Sequence, residues 1–244
     1  MRRWLALSLP WVVWCACNSY YYAPNTLYTP HLIERHDAEL GICGLRGSDF
    51  SGFEFHGTYA FTNHFALMAN HLDVRGRSPS QDRRGNGRLS EAALGVYFPL
   101  RQVSNTVFVG AGTGQVFNEF PKGSRATLKF HRYFGQYGIS VEQGALRIGT
   151  GIRLNYLHYR EGHIDYRVGE SDVSKIILIE ENSPFIFPEF SVNLRIGSRP
   201  VWANLCSTIV EHERAKELGW ATQTIGLGLL LEVDHFWRAE RPKK

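Results

Sequence analysis

From residue 38 onward, apolar and polar positions alternate with period two, broken at short intervals by Gly, Pro, Asn and charged clusters, while helical periodicity is nearly absent. In the clearest segment Gln223, Ile225, Leu227, Leu229, Leu231 and Val233 share one face, and Thr222, Thr224, Gly226, Gly228 and Glu232 share the other. The segment 146–156 opposes Leu146, Ile148, Ile152, Leu154 and Tyr156 to Arg147, Gly149, Gly151, Arg153 and Asn155. Segments 53–61 and 189–196 follow the same rule, with Phe53, Phe55, Tyr59 and Phe61 against Glu54, His56 and Thr58, and Phe190, Val192 and Leu194 against Glu189 and Arg195. The pattern predicts about ten strands, at 38–45, 51–61, 65–74, 88–98, 106–117, 126–139, 146–161, 185–197, 201–210 and 221–233. Alternation blurs in the third, fifth and sixth, which leaves an eight-strand count open.

The connections alternate in length, except that the first, 46–50, is short where a long loop is permitted. Residues 62–64, 99–105, 140–145 and 198–200 are short turns, whereas 75–87, 118–125, 162–184 and 211–220 are longer and polar. Short turns on one side and long loops on the other are expected of an outer-membrane barrel. The predicted fold class is therefore all-β, a single antiparallel up-and-down transmembrane β-barrel. A water-soluble sandwich with its apolar faces packed inward is the competing arrangement. Strands of ten or more residues, and aromatics near strand ends (Phe53, Phe61, Phe98, Tyr156), favour the barrel.

The first residues differ from the rest. Arg2 and Arg3 precede an apolar run from Trp4 to Trp14, broken by Pro10 and ended by Cys15-Ala16-Cys17. This is a basic n-region and short h-region, too short for a bilayer-spanning helix of roughly 20 residues. Cys17 after the small Ala16 resembles a bacterial lipobox and is the candidate lipid-attachment site; a plain cleaved signal is the alternative. Cys43 and Cys206 fall on the predicted first and ninth strands, which the tenth separates by about two spacings of 4.8 Å. That exceeds disulfide reach, so both are expected as unpaired wall residues. The divisions read as a signal over 1–17, a periplasmic N-terminal segment over 18–37, a barrel over 38–235 and a basic tail over 236–244.

The formal net charge is +4, from scattered residues without the motifs of nucleic-acid binding. Charges on the polar strand faces matter more. Glu54, His56, Glu91, Arg132, Arg147, Arg153, Glu189 and Arg195 are predicted to point into the lumen, which at this strand number is just filled by side chains. Opposite charges would pair there; a narrow ion path is the alternative, and a wide porin is excluded by size. Arg75, Arg77, Arg83, Arg84 and Arg88 form a basic loop able to grip lipid phosphates or acidic glycans through guanidinium forks, or simply to be solvated. At the rim, His163 with Asp165 and His212 with Glu211 and Glu213 are general-base candidates, and no Gly-x-Ser-x-Gly motif accompanies them. No metal site or cofactor is expected, because no two histidines have i, i+4 spacing and the run Gly110 to Gly114 lacks the lysine and helix of a phosphate loop. Apolar Val173 to Ile179, inside the longest loop, reads as a strand extension, an interfacial helix or a partner contact.

Two stretches carry a resemblance: Tyr20-Tyr21-Tyr22-Ala23-Pro24-Asn25-Thr26 with Thr29-Pro30-His31-Leu32, and Tyr59 to Asn70. They are similar to a group of Bacteroidota outer-membrane β-barrel lipoproteins of uncharacterised activity. The resemblance implies a location, the bacterial outer membrane, and no chemistry. Taken together, the expectations are extracellular loops, both termini periplasmic, contact with outer-membrane lipid and lipopolysaccharide, an open place for an envelope protein partner, and no enzymatic role. A narrow transport or ligand-binding barrel and an outer-membrane hydrolase stay open as alternatives.

Overall fold

The computed structural model describes residues 21–47, 50–78, 83–120, 124–164 and 170–239. Ten antiparallel strands, β1 (Ala38–Gly47), β2 (Ser51–Ala60), β3 (Phe65–Ser78), β4 (Arg83–Leu100), β5 (Val103–Glu119), β6 (Arg125–Gln143), β7 (Leu146–Ile164), β8 (Phe185–Ser198), β9 (Val201–Val210) and β10 (Gln223–Glu232), close into a barrel. Each strand pairs with its sequence neighbours, and β10 returns to β1, with Leu40 opposite Leu231 and Cys43 opposite Gly228. The eight-strand count is thereby removed. The predicted strands are recovered, and those with blurred alternation extend further than expected: β3 ends at Ser78 and β6 at Gln143.

The period-two pattern sorts into an outer and an inner face. On β7 Ile148, Ile152 and Leu154 are exposed outward, whereas Arg147, Arg153 and Asn155 are fully buried inward. On β10 the exposed apolar residues are Ile225, Leu227 and Leu229. The apolar faces therefore point away from the core, opposite to the sandwich arrangement. Inside lie two apolar clusters, one toward each end. Tyr21, Tyr22, Phe130, Tyr159, Phe187 and Trp220 belong to the cluster at the long-loop end. Tyr28, Leu32, Ala60, Tyr97, Phe108 and Trp202 belong to the one at the turn end.

The barrel is not empty between them. Residues 21–32, expected to lie outside the barrel as part of the segment 18–37, are buried within it. The chain enters at the long-loop end, where the Tyr21 amide donates to the Gly219 carbonyl at 3.0 Å and Tyr22 bridges Trp220 in parallel. It leaves at the turn end, where the Leu32 amide donates to Ser104 Oγ at 3.1 Å. There the amides of Ile33 and Glu34 donate to Asp37 Oδ2, the His36 amide donates to the Ala60 carbonyl, and β1 begins. The reason is chemical: a charged lumen needs hydrogen-bonding filler that adds little charge of its own, and residues 21–32 carry no Asp, Glu, Lys or Arg.

Two helices cover the ends. α1 (Glu170–Asn182) occupies part of the longest loop and buries Ile176 and Ile179 in the loop-end cluster, which settles the apolar run at 173–179 as a capping helix. α2 (Asp234–Ala239) follows β10 at the turn end. The short turns use local backbone solutions, among them Gly144 with φ of 61° between β6 and β7, a conformation that favours glycine. The even strand number puts the start of β1 and the end of β10 at the turn end, as expected. The described residues 21–32 run through the lumen toward β1, so Tyr21 lies at the long-loop end and α2 at the turn end.

Candidate functional site

All eight residues predicted to point into the lumen are buried there: Glu54, His56, Glu91, Arg132, Arg147, Arg153, Glu189 and Arg195. The structure adds the groups that answer them. Toward the loop end, Asn25 of the internal segment is the centre of a closed network. Its Oδ1 accepts from Arg132 Nη2 at 2.6 Å and from Arg153 Nη2 at 2.8 Å, and its Nδ2 donates to Glu91 Oε2 at 2.8 Å. Arg132 Nη1 donates to the Tyr22 hydroxyl at 2.6 Å, which donates to Glu189 Oε1 at 2.8 Å. Glu189 also accepts from Arg153 Nε at 2.6 Å, and Arg132 pairs with Glu91. Two arginines and two glutamates are thus joined through one amide and one phenol.

Toward the turn end, Arg147 is held by Glu39 at 2.8 Å, by Glu232 at 2.5 Å and by Glu142, and its guanidinium stacks 4.4 Å from the Trp202 ring centroid. Tyr28 donates its hydroxyl to Glu39, and His31 Nδ1 lies 2.9 Å from Ser140 Oγ. Between these layers the segment's backbone is gripped by the wall: Gln136 Nε2 donates to the Tyr28 carbonyl at 2.7 Å, Arg195 Nη2 to the Thr29 carbonyl at 2.7 Å, and Ser191 Oγ to the Leu27 carbonyl at 3.0 Å. Glu54 accepts from the Thr26 amide at 2.8 Å. His56 stacks on Tyr28 at a centroid distance of 4.0 Å, with neither ring nitrogen hydrogen-bonded among the described residues.

Sequence reasoning missed Glu39, Glu142, Glu232 and every residue of the internal segment. One signal was available: wall glycines on the polar face imply something close against them. A Cβ on Gly149 would sit 2.1 Å from Thr29 Oγ1, and one on Gly151 2.6 Å from Leu27 Cδ2. Cys43 and Cys206 are free and buried, as expected; Cys43 Sγ accepts from Asn204 Nδ2 at 3.4 Å.

The basic loop divides. Arg75 and Arg88 extend outward from β3 and β4, both pairing with Asp73, at 4.0 and 3.0 Å. With Asn86, Gln115 and Phe117 they line a recess of about 370 Å³. Arg84 lies on the outer face opposite Glu119; Arg77 pairs with it across β3 and β4, and Arg83 starts β4. Below the recess, Gly57, Ala69, Ala92 and Ala111 stand in register across β2, β3, β4 and β5 and floor an apolar groove of about 980 Å³ walled by Leu40, Leu67 and Tyr133.

Among the described residues His163 and His212 lie on separate elements, β7 and the loop after β9. His212 packs among Phe185, Phe187 and Trp220, with centroids 5.8, 6.1 and 5.0 Å away, and its Nδ1 accepts from the Arg214 amide. Burial and the Arg214 cation hold its pKa below the usual imidazole range. His163 is exposed on β7, and its sequence partner Asp165, like Cys17, lies outside the described residues. Among the described residues no group of three or more His, Cys, Asp or Glu is placed to hold a metal ion. No protein-family model and no curated protein matches this chain.

Proposed function

We propose that this chain is an outer-membrane β-barrel lipoprotein with a structural or interaction role, whose lumen is sealed by its own N-terminal segment. The observation that carries the reading is the closed network of Asn25 and Tyr22 with Arg132, Arg153, Glu91 and Glu189: the charges that would line an ion path are spent on the chain itself. Support for the membrane comes from the outer surface, where Leu40, Phe65, Leu94, Leu154, Ile186 and Leu227 are exposed around the ring, a pattern that costs free energy in water and is favourable in hydrocarbon. The loop end, capped by α1 and by Leu218 and Trp220, is the face offered to an envelope protein partner.

The recess at Arg75 and Arg88 suits the phosphates of outer-membrane lipid or lipopolysaccharide, because guanidinium forks bind such oxyanions bidentately, and the groove below it accepts acyl chains. Planar bilayers test the sealed barrel: the purified protein should be electrically silent, and reproducible single-channel steps abolished by Arg153→Ala or Arg195→Ala would overturn the reading. Membrane fractionation followed by heat-modifiable migration in detergent gels tests the barrel itself. Soluble protein with no mobility shift is the result that would remove it.

A further inference from the structure

At two successive inward positions, Gly226 and Gly228, β10 brings no side chain to the lumen. Side chains of the flanking strands take the space. A Cβ on Gly228 would sit 2.8 Å from Cys43 Sγ of β1, and one on Gly226 would sit 2.6 Å from Cys206 Sγ of β9. The two thiols, both buried and both free of a disulfide, therefore meet over the bare strand and hydrogen-bond each other. Strand pairing sets polar neighbours in one row with them: Glu54 stands opposite Cys43, Cys43 opposite Gly228, Gly228 opposite Asn204, and Asn204 opposite Arg195. Asn204 Nδ2 donates to Cys43 Sγ at 3.4 Å. The row also holds polar atoms that the barrel leaves unused. Among the described residues Glu54 Oε1, Asn204 Oδ1 and Arg195 Nε and Nη1 are buried without a hydrogen-bond partner.

We propose that Cys43 and Cys206 form a two-coordinate site for a soft monovalent cation of the copper(I) class. The spacing selects this chemistry. The backbones of β1 and β9 are two strand spacings apart, about 9.6 Å, which is past the roughly 7 Å within which a disulfide closes. With thiolate–metal bonds of about 2.3 Å, the zinc value, a linear bridge holds its sulfurs about 4.6 Å apart, against about 2.0 Å in a disulfide, and so spans the bare strand where a disulfide does not. Thiolates select soft cations, whereas calcium and magnesium take sets of oxygen ligands. Zinc takes four ligands, and among the described residues no third His, Cys, Asp or Glu joins the pair in a coordinating position. On loading, both thiols give their protons to solvent, two metal–sulfur bonds form and no electron is transferred. The bis-thiolate then carries one negative charge, which Arg195, in the same row and with two unused guanidinium nitrogens, offsets. Such a bridge ties β1 to β9 across the strand that closes the barrel.

The full-length chain, refolded anaerobically in detergent with copper(I) and then desalted through a copper(I) chelator, tests the site, with metal content read by mass spectrometry and folding by heat-modifiable mobility. Wild type should keep one copper more per barrel than Cys43→Ser or Cys206→Ser; Cys15 and Cys17 are present in all three, so the difference reads the lumen pair. Binding to the folded state alone should also raise the urea midpoint of wild type when copper is present, and leave that of both variants unmoved. Equal copper in wild type and in either folded variant, or no midpoint shift in wild type, overturns the proposal. Where serine at position 43 or 206 prevents barrel formation, the Cys15→Ser/Cys17→Ser double variant decides, since it leaves the lumen pair untouched. It should retain one copper with two sulfur neighbours by X-ray absorption, and loss of that copper, or oxygen and nitrogen neighbours in place of sulfur, overturns the proposal equally.

Discussion

At the scale of single residues, the lumen holds two kinds of buried polar group, and they should respond oppositely to removal. Asn25 uses both ends of its amide, accepting from Arg132 and Arg153 and donating to Glu91. Hydrogen bonds to charged groups contribute about 1.5–3 kcal/mol, and an abandoned buried partner costs its desolvation in full. Asn25→Leu keeps the volume and removes the chemistry, so the barrel should lose about 2–4 kcal/mol, read as a lower urea midpoint for the loss of heat-modifiable mobility. His56 is the contrasting case. It is buried against Tyr28 with neither nitrogen hydrogen-bonded among the described residues, so it contributes ring packing more than polarity. His56→Phe retains the ring, removes two costly polar atoms and should leave the same midpoint unchanged or raise it; a marked fall would show that the imidazole is used.

At the scale of elements, what the sequence revealed depended on whether a segment's partner is adjacent to it in the chain. Every strand pairs with its sequence neighbours except at the single β1 and β10 seam, and each inner face is set by alternation, so strand positions and all eight lumen residues were legible locally. The internal segment has neither property. It has no period, and its partners are scattered from Glu39 to Thr224, so the uncharged stretch behind a signal reads as a separate N-terminal segment. The same holds for Glu39, Glu142 and Glu232, which gain meaning only when three strands bring them to Arg147. The reversal from segment to β1 also carries a titratable group. Asp37 accepts from the amides of Ile33 and Glu34, and burial, with Asp234 and Glu39 nearby, pushes its carboxyl up to about 7. The folded state therefore keeps a proton that the unfolded chain releases near the ordinary carboxylate value. Stability should fall as pH rises from about 4 to 7 and then level off. Asp37→Asn, able to accept the same two amides, should flatten that slope and be relatively more stable at pH 8 than at pH 5; a wild-type barrel whose midpoint is insensitive across this window would refute the assignment.

At the scale of the whole molecule, barrel and internal segment are one cooperative unit, because each leaves the other unsatisfied. The ring supplies Arg132, Arg147, Arg153 and Arg195 to a buried lumen, and the segment supplies Asn25, Tyr22 and the Thr29 carbonyl as acceptors for Arg132, Arg153 and Arg195, while Tyr28 donates to Glu39 beside Arg147. The segment in turn exposes backbone amides and carbonyls that only the wall satisfies, such as the Leu27 amide on Thr208 and its carbonyl on Ser191 and Asn193. With every strand edge paired, lateral entry of the segment after closure would require breaking a strand pair. A chain from which residues 21–33 are deleted tests this coupling. Breaking buried ionic groups away from their partners costs about 3–5 kcal/mol, so the deleted chain should give a much smaller heat-modifiable fraction and a lower urea midpoint than the intact one. The fraction that does close has a water-accessible lumen and should show bilayer conductance where the intact protein is silent. An intact midpoint together with a silent bilayer would mean that the ring neither needs the segment nor is sealed by it.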